Sequence, residues 1–263
     1  MLAGCGYSLR HQDPDPLMVE MDRVRDFLRL HPGRPDLWEN ALSQLALASH
    51  LRDLIRLHQP DLAVDVGANR GQFALHLREL GYHGPILSLE PQRALADALR
   101  PPAAAPRSDW TIIHGAAGDA NTELVLHTYA DNTFSSFHPA SQAARERFGE
   151  LLTPGAPETV RVRPLDDWLE ETAHAGASRI LVKTDTQGHD LAVLRGAPRT
   201  IGKARIILAE AAVIPLYDHA PTLADFTALL TPANFRLAGQ YAVSHDTRDL
   251  AVMESDCLFT RVP

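Results

Sequence analysis

Hydrophobic and polar positions form two kinds of pattern along the middle of the chain. Apolar runs of about five residues are typical of buried parallel strands, and the segments between them place apolar residues at helical spacing. Strands that alternate with helices imply a parallel sheet covered by helices on both faces. The runs that predict strands are 62–66, 86–90, 110–114, 179–185 and 204–211.

Two later segments, 235–238 and 255–261, have the pattern of a closing pair of strands. With them, the chain is predicted to be an α/β protein with a Rossmann-like, seven-stranded, mostly parallel sheet whose last strand is antiparallel. The alternation breaks over 119–165, which we interpret as an insertion near the functional site and not as a second domain. Within it, the polar and aromatic segment 132–138 is predicted to be a loop over that site.

The N-terminal part of the chain has helical patterns and no candidate catalytic group. Apolar residues recur at helical spacing over 18–30, and Asp36 followed by Glu39 resembles the start of a second helix. We therefore divide the chain into an N-terminal helical lead, 1–54, and a main domain, 55–263. The lead is either a cap beside the functional site or simple packing, and the sequence leaves both open.

Composition and charge narrow the class of protein. The chain has 263 residues, of which 45% are hydrophobic and 22% charged, as expected of a globular protein with one large core. A formal net charge of −8 argues against a nucleic-acid-binding protein, which usually has a basic surface. No apolar stretch approaches the roughly 20 residues of a membrane span. The two cysteines, Cys5 and Cys257, have no metal-binding spacing, so we expect a reduced, cytoplasmic location without a membrane partner.

A glycine-framed turn after the first predicted strand is the strongest functional signal. The run Gly67-Ala-Asn-Arg-Gly71 connects that strand to an amphipathic helix, an arrangement that presents backbone N–H groups to a nucleotide ligand. The middle glycine of the dinucleotide fingerprint is absent, as is the Gly-Lys-Ser/Thr ending of a phosphate loop. We interpret Gly67 as the residue that lets the backbone pass close under the methionine part of the ligand.

Two acidic residues indicate which ligand the turn binds. Asp65 lies two residues before Gly67, where a carboxylate suits a cationic end such as an amino group. Glu90 ends the second strand, where a carboxylate accepts hydrogen bonds from a ribose diol. A ribose acceptor without a pyrophosphate glycine predicts S-adenosylmethionine. The predicted cofactor-binding residues are Asp65, Gly67, Ala68, Asn69, Gly71, Gln72, Glu90, Pro91, Ala117 and Asp119.

Motifs in several of these segments resemble those of the FkbM-type methyltransferases. The segments are Asp65–Gln72, Ser88–Pro91, Asn132 with Ser135 and Ser136, and Lys183–Asp190 followed by Val193–Ala197. The resemblance covers about residues 55–261. It implies the fold of S-adenosylmethionine-dependent methyltransferases and O-methylation of hydroxyls on sugars or natural products. One departure is Asp190, where the family usually has Glu, and the shorter side chain retracts the carboxylate by one methylene.

Methyl transfer from a sulfonium to a hydroxyl requires alignment of the acceptor oxygen and a group that accepts its proton. Ligands of open α/β sheets bind beyond the carboxyl ends of the strands, so the candidates are acids and bases at those ends. The predicted catalytic residues are Lys183, Asp185, His189 and Glu210. Two alternatives remain: a structural ion pair between Lys183 and Asp185, and a divalent ion such as magnesium held by Asp185, His189 and Glu210.

The sequence therefore predicts an S-adenosylmethionine-dependent O-methyltransferase whose partner is a small hydroxylated acceptor, either a sugar or another natural product. Phe134, Phe137 and Tyr217 are candidates to line the acceptor pocket, and His138 is a further candidate for chemistry. Two other functions stay open: a nicotinamide-dependent oxidoreductase on a related sheet, and a non-catalytic protein that binds S-adenosylmethionine. The sequence does not decide between a monomer and a homodimer.

Overall fold

The computed structural model describes residues 35–99, 109–246 and 248–262, together with 21, 22, 25, 26 and 29. Most of the helix predicted over 18–30 lies outside these residues. In the described part of the chain, no helix is both long enough and apolar enough to cross a membrane.

The strands and helices follow one another in the predicted alternating order. The strands are β1 (Leu62–Val66), β2 (Ile86–Glu90), β3 (Trp110–His114), β4 (Ala116–Gly118), β5 (Thr122–Leu126), β6 (Glu158–Pro164), β7 (Ile180–Thr184), β8 (Ala204–Ala212), β9 (Phe235–His245) and β10 (Val252–Arg261). The α-helices are α1 (Pro35–His58), α2 (Gln72–Glu79), α3 (Arg93–Leu99), α4 (Gln142–Phe148), α5 (Leu165–Glu170), α6 (Asp190–Arg195), α7 (Pro198–Lys203) and α8 (Leu223–Leu230).

Seven strands form one sheet in the order β3-β2-β1-β7-β8-β10-β9. In this order, the first five strands, β3, β2, β1, β7 and β8, pair in parallel with their neighbours. Strand β10 pairs antiparallel with both β8 and β9. The predicted fold is therefore confirmed, including its antiparallel last strand. The closing pair is longer than the sequence predicts, because β9 is half-exposed over most of its length and lacks a clean alternation of apolar and polar residues.

The hydrophobic core lies on both faces of this sheet. On one face, Leu47, Leu51 and Ile55 of α1 are buried together with Ala74 and Leu77 of α2. On the other face, apolar residues of α5, α6, α7 and α8 are buried against the alternate residues of the same strands. Strands β1 and β7 are buried along their whole length because helices cover both of their faces.

Helix α1 belongs to this core although it lies in the predicted N-terminal lead. It continues to His58 without a break at residue 54. The domain division at that position stays a prediction. What the structure adds is that the second half of α1 packs beside α2 on the same face of the sheet.

The segment 119–165, interpreted above as an insertion, contributes two of the three strands of a second, smaller sheet. Its strand order is β4-β6-β5, with β4 parallel and β5 antiparallel to β6. Between β5 and β6 lie α4 and two 3₁₀ helices, Asn132–Phe134 and Gly149–Leu152. The short strand β4 is not predicted by the sequence pattern, since three residues are too few to show an alternation.

Candidate active site

A cavity of about 300 Å³ lies at the carboxyl ends of the parallel strands, where ligands bind in open α/β sheets. Its wall includes residues from the turns after β1, β2 and β7, from β8 and β10, and from α1 and α2. Seven of the ten predicted cofactor-binding residues line it, as do two of the four predicted catalytic residues. The nine are Gly67, Ala68, Asn69, Gln72, Glu90, Pro91, Ala117, Lys183 and Asp185.

The turn after β1 depends on three residues with left-handed backbone conformations. The φ angles are 80° at Gly67, 48° at Asn69 and 79° at Gly71. A Cβ atom on Gly67 would lie 2.0 Å from the carbonyl oxygen of Asp185. The sequence attributes the glycine to a close approach of the ligand, whereas the structure shows a close approach of the chain after β7. Gly71 does not line the cavity, and a Cβ there would lie 2.6 Å from the Trp110 ring.

Glu90 is held in one orientation at the wall of the cavity. The backbone N–H of Asn69 donates to Oε2 at 2.7 Å, and that of Gln92 donates to Oε1 at 2.8 Å. The residue is only 3% exposed, and burial raises the pKa of its carboxyl group to about 7, although both N–H groups oppose this shift. Each oxygen keeps a lone pair, so Glu90 can accept further hydrogen bonds from a ligand diol.

Asp65 is fully buried and does not line the cavity. The strand register places it between Ser88 on β2 and Lys183 on β7. Ser88 Oγ donates to Asp65 Oδ2 at 3.2 Å, and Lys183 Nζ lies 3.1 Å from Oδ1. The sequence predicts a ligand amino group as the partner of Asp65. In the structure, its carboxylate faces the ammonium group of Lys183 instead.

Lys183 connects the turn after β1 to the cavity. Its Nζ donates to the carbonyl of Gly67 at 2.8 Å and lies 3.6 Å from Asp185 Oδ2, so the ion pair considered from the sequence is present. Burial alone would lower the pKa of Lys183, but the carboxylates of Asp65 and Asp185 outweigh it and leave the pKa above its usual value. Lys183 therefore stays positively charged and is unsuited to accept a proton.

Asp185 is the accessible carboxylate of this group, with 43% of its side chain exposed. Gln187 Nε2 donates to Asp185 Oδ1 at 2.9 Å and to Glu210 Oε2 at 3.3 Å. The hydroxyl of Tyr217 donates to Gln187 Oε1 at 2.9 Å, which fixes the amide orientation. Gln187 lines the cavity and is a candidate site residue that sequence reasoning missed. The signal that could have identified it is its place just after β7, followed by Gly188.

Glu210 and His189 do not line the cavity. Burial raises the pKa of Glu210 well above its usual value, and Asp185 adds to the shift, so the protonated form is favoured. The His189 ring packs 5.2 Å from Phe137 and 5.6 Å from His138, measured between ring centroids. Burial lowers the pKa of His189 to about 4, which leaves the ring neutral at physiological pH. The structure therefore brings only Lys183 and Asp185 of the four catalytic candidates to the cavity.

The magnesium alternative lacks a ligand set. Among the residues that the structure describes, no group of three or more His, Cys, Asp or Glu side chains is arranged to hold a metal ion.

Asp190 is buried and accepts a hydrogen bond from the Thr186 N–H at 3.1 Å, so it supports the turn after β7. Asp119 is exposed and does not line the cavity, unlike its neighbour Ala117.

The segment 132–138 lies against the turn after β7. Ser136 Oγ donates to the Gln187 carbonyl at 2.6 Å, and the Tyr217 hydroxyl lies 2.9 Å from the carbonyl of Phe134. The four residues of this segment that line the cavity are Asn132, Thr133, Ser135 and Phe137. Phe134, Tyr217 and His138 lie behind this wall, so of the three aromatic residues proposed for the acceptor pocket only Phe137 contacts the cavity.

Helix α1 also forms part of the wall, through Gln44, Leu47 and Leu51. Gln44 Nε2 donates to Asp256 Oδ2 on β10 at 3.1 Å. Of the two roles considered for the N-terminal lead, the structure therefore supports a cap beside the site as well as packing. No sequence pattern predicts this contact, because α1 has only a helical pattern.

Comparisons with known proteins identify one matching family. A family model for the methyltransferase FkbM domain matches residues 65–237. A search among curated proteins finds no match.

Several solved structures are similar to the chain at low sequence identity. A magnesium protoporphyrin IX methyltransferase of Synechocystis with bound S-adenosylmethionine has 11% identity and a TM-score of 0.42, covering 97% of this chain and 100% of that one. A 1,6-didemethyltoxoflavin-N1-methyltransferase of Burkholderia thailandensis has 11% identity and a TM-score of 0.42, with coverages of 97% and 94%. A precorrin-6y C5,15-methyltransferase of Geobacter metallireducens has 9% identity and a TM-score of 0.40, with coverages of 83% and 89%.

Proposed function

The chain belongs to the FkbM methyltransferase family, and from this premise we propose that it transfers a methyl group from S-adenosylmethionine to a hydroxyl oxygen of a sugar, a glycoside or another natural product. The observation that carries the proposal is the accessible carboxylate of Asp185 at the cavity wall, held between Lys183 and Gln187. A carboxylate in this position can orient a hydroxyl group and accept its proton.

The cavity has two ends, which we name by their proposed occupants. The cofactor end is formed by Gly67, Ala68 and Asn69 after β1, by Glu90 and Pro91 at the end of β2, and by Ala117 in β4. The acceptor end is formed by Asp185 just after β7, by Leu208 and Asp256 in the middle of β8 and β10, and by Gln44, Leu47 and Leu51 of α1. Because β7 lies next to β1 in the sheet, the two ends meet at Asp185 and Lys183.

The residues of the cofactor end fit S-adenosylmethionine. Glu90 presents carboxylate oxygens with free lone pairs to a ribose diol, and Pro91 and Ala117 offer an apolar surface for an adenine ring. The backbone of the turn from Gly67 to Asn69 lies beside them at the cavity wall. When bound, S-adenosylmethionine supplies an electrophilic methyl carbon.

Asp185 is the residue proposed to act on the acceptor. One of its oxygens accepts from Gln187 and the other faces Lys183, so the carboxylate is fixed before an acceptor binds. Its remaining lone pairs can take the hydrogen bond of an acceptor hydroxyl and then its proton. A positioned general base contributes roughly 10²–10⁴-fold to a rate.

The other functions considered from the sequence receive less support. Membership of a methyltransferase family argues against the nicotinamide-dependent oxidoreductase. The fixed, accessible carboxylate of Asp185 argues against a protein that only binds S-adenosylmethionine. The absence of a nucleic-acid partner and the cytoplasmic location stay predictions, and the oligomeric state stays open.

The test combines cofactor binding with an acceptor screen. Calorimetry is expected to detect binding of S-adenosylmethionine, and a screen of hydroxylated sugars and glycosides is expected to produce S-adenosylhomocysteine with at least one acceptor. Binding of a nicotinamide dinucleotide in place of S-adenosylmethionine would contradict the cofactor. Binding of S-adenosylmethionine without turnover of any hydroxylated acceptor would contradict O-methyl transfer.

A further inference from the structure

The acceptor end of the cavity is built largely from parts of the chain outside the family match. The family model ends at residue 237 and begins at residue 65. Gln44, Leu47 and Leu51 come before that range and Asp256 comes after it, yet all four line the cavity. Residues 44 and 256 are joined directly by the hydrogen bond between their side chains. The part of the wall that lies outside the family match is therefore concentrated where the acceptor is proposed to bind.

This part of the wall combines a polar pair with an apolar surface. Gln44 uses one N–H of its amide to donate to Asp256 Oδ2, so it keeps a second N–H donor and a carbonyl acceptor. Asp256 keeps its Oδ1 atom as an acceptor. Together the pair offers one donor and two acceptors, which matches two neighbouring hydroxyl groups, since each hydroxyl both donates and accepts.

The apolar surface consists of Leu47, Leu51 and Leu208, whose side chains are largely buried in the core shared by α1, α2 and the sheet. Their packing holds them in place, so they form a preformed wall and not a flexible one. A ligand site with an apolar wall and a few fixed polar groups recognises a molecule that has both characters.

We propose that this wall selects an amphipathic glycoside as the acceptor: Gln44 and Asp256 bind neighbouring hydroxyls of the sugar ring, and Leu47, Leu51 and Leu208 hold an apolar substituent. The proposal rests on the proposed function, because it concerns the acceptor of that reaction. It assigns Gln44 and Asp256 to acceptor specificity and gives them no part in cofactor binding.

The experiment compares methyl and phenyl glycosides of the same hexoses and 6-deoxyhexoses. Formation of S-adenosylhomocysteine gives kcat and KM, and saturation-transfer NMR in the presence of S-adenosylhomocysteine measures glycoside binding without turnover. The parent protein is expected to prefer phenyl over methyl glycosides by about tenfold in kcat/KM, and the phenyl protons are expected to be the most strongly saturated. Equal kcat/KM for the two series would overturn the apolar half of the proposal.

Two variants test the polar pair. Gln44→Ala and Asp256→Asn are each expected to raise KM for glycosides roughly two- to tenfold, with kcat and the Kd for S-adenosylmethionine almost unchanged. The matched control is Gln142→Ala, an exposed glutamine on α4 that does not line the cavity, and it should leave KM unchanged. If both variants keep KM and the NMR binding signal within twofold of the parent, the polar pair does not bind the acceptor.

One variant tests the apolar wall. Leu47→Ala is expected to lower the ratio of kcat/KM for phenyl glycosides to kcat/KM for methyl glycosides. If this variant does not fold, the saturation pattern of the parent protein still tests the wall. Failure of the proposed function has a different signature, namely glycoside binding by NMR that is lost in the Gln44 variant, with no S-adenosylhomocysteine formed. That result would support the binding wall and reject the reaction.

Discussion

The cofactor end of the cavity is formed by residues that lie close together in the sequence, whereas the acceptor end joins residues from opposite ends of the chain. At the cofactor end, the N–H of Asn69 donates to Glu90 across two neighbouring parallel strands. At the acceptor end, Gln44 contacts Asp256, which is 212 positions away in the sequence. Both ends are part of one cavity and meet at Lys183 and Asp185.

Because the two ends are built differently, we expect them to control different properties of the protein. The cofactor end depends on the backbone conformation of one turn, so substitutions there should affect folding and cofactor affinity. The acceptor end depends on side-chain hydrogen bonds between elements, such as those of Gln187 to Asp185 and Glu210. Substitutions there should affect turnover or the KM for the acceptor and leave cofactor affinity intact. The following experiments test this separation.

The largest effect is expected at Gly67. In Gly67→Ala, the new Cβ would lie 2.0 Å from the Asp185 carbonyl oxygen on a backbone with φ of 80°. Left-handed strain and overpacking together should lower the free energy of unfolding by about 3 kcal/mol or more and abolish measurable cofactor binding. Chemical denaturation and calorimetry measure the two effects.

Gly81→Ala is the matched control for this substitution. Gly81 also has a left-handed φ, of 85°, but a Cβ there would meet no atom within 4 Å. This variant should lose only about 1–2 kcal/mol of stability and bind the cofactor normally. Equal losses in the two variants would show that strain alone matters and that the contact with the chain after β7 does not.

Among variants that still bind the cofactor, Asp185→Asn should have the largest effect on turnover. The substitution keeps the size of the side chain and removes its charge, so turnover should fall by about 10²-fold or more. Cofactor affinity should stay within about twofold of the parent, since the cofactor end is unchanged. Near-parental turnover would return Asp185 to a purely structural ion pair with Lys183, and lost cofactor affinity would break the separation of the two ends.

Chelation of metal ions tests whether Asp185 acts through a bound metal. No metal-binding group is present among the described residues, so EDTA should leave the turnover of the parent protein unchanged. Activity that is lost with EDTA and restored by magnesium would contradict this prediction and support a metal at Asp185.

Glu90→Ala should show the complementary behaviour at the cofactor end. Loss of a charged hydrogen-bond partner costs about 1.5–3 kcal/mol, which corresponds to roughly 10- to 150-fold weaker cofactor binding. Calorimetry measures this change, and Glu123→Ala, at an exposed position on β5, serves as the control. If the Kd of the Glu90 variant stays within twofold of the parent value, Glu90 does not face the ribose.

The smallest effect is the pH dependence of cofactor affinity. Burial raises the pKa of Glu90 to about 7, so the carboxyl group is mostly protonated at pH 6 and mostly ionised at pH 8. If the ribose hydroxyls bind the ionised form, affinity should increase about tenfold between these pH values. Glu90→Gln should remove this dependence, and a parent protein with flat affinity over this range would contradict the assignment.

The same group should affect stability in the opposite direction when no ligand is bound. The pKa of Glu90 in the folded protein lies above its unfolded value of 4.5. Its stabilising contribution is therefore fully present below pH 4.5 and is lost as the pH rises through about 7. Thermal unfolding of the parent and of Glu90→Gln, compared over this range, measures the contribution.

The pattern of residues along the chain predicts the fold, and it also singles out the residues that form the cofactor end of the cavity. Apolar runs and helical spacing predict the alternating strands and helices, and Glu90, at the end of its strand, lies at the cavity wall. Its contact with a ribose stays a prediction. These features are local, because strand ends and left-handed turns are encoded by a few adjacent residues. The same local reasoning identified Asp65 and Gly71 as important but not their partners, which are Lys183 and Trp110.

The acceptor end of the cavity depends on contacts between distant elements that no sequence pattern predicts. The sheet order places β10 between β8 and β9, and the packing of α1 on that side brings Gln44 to Asp256. Apolar periodicity shows that a helix has a buried face, but it does not encode which strands that face covers. For the same reason, the sequence does not show that Asp185 faces the cavity whereas His189, a few residues after it, packs against Phe137.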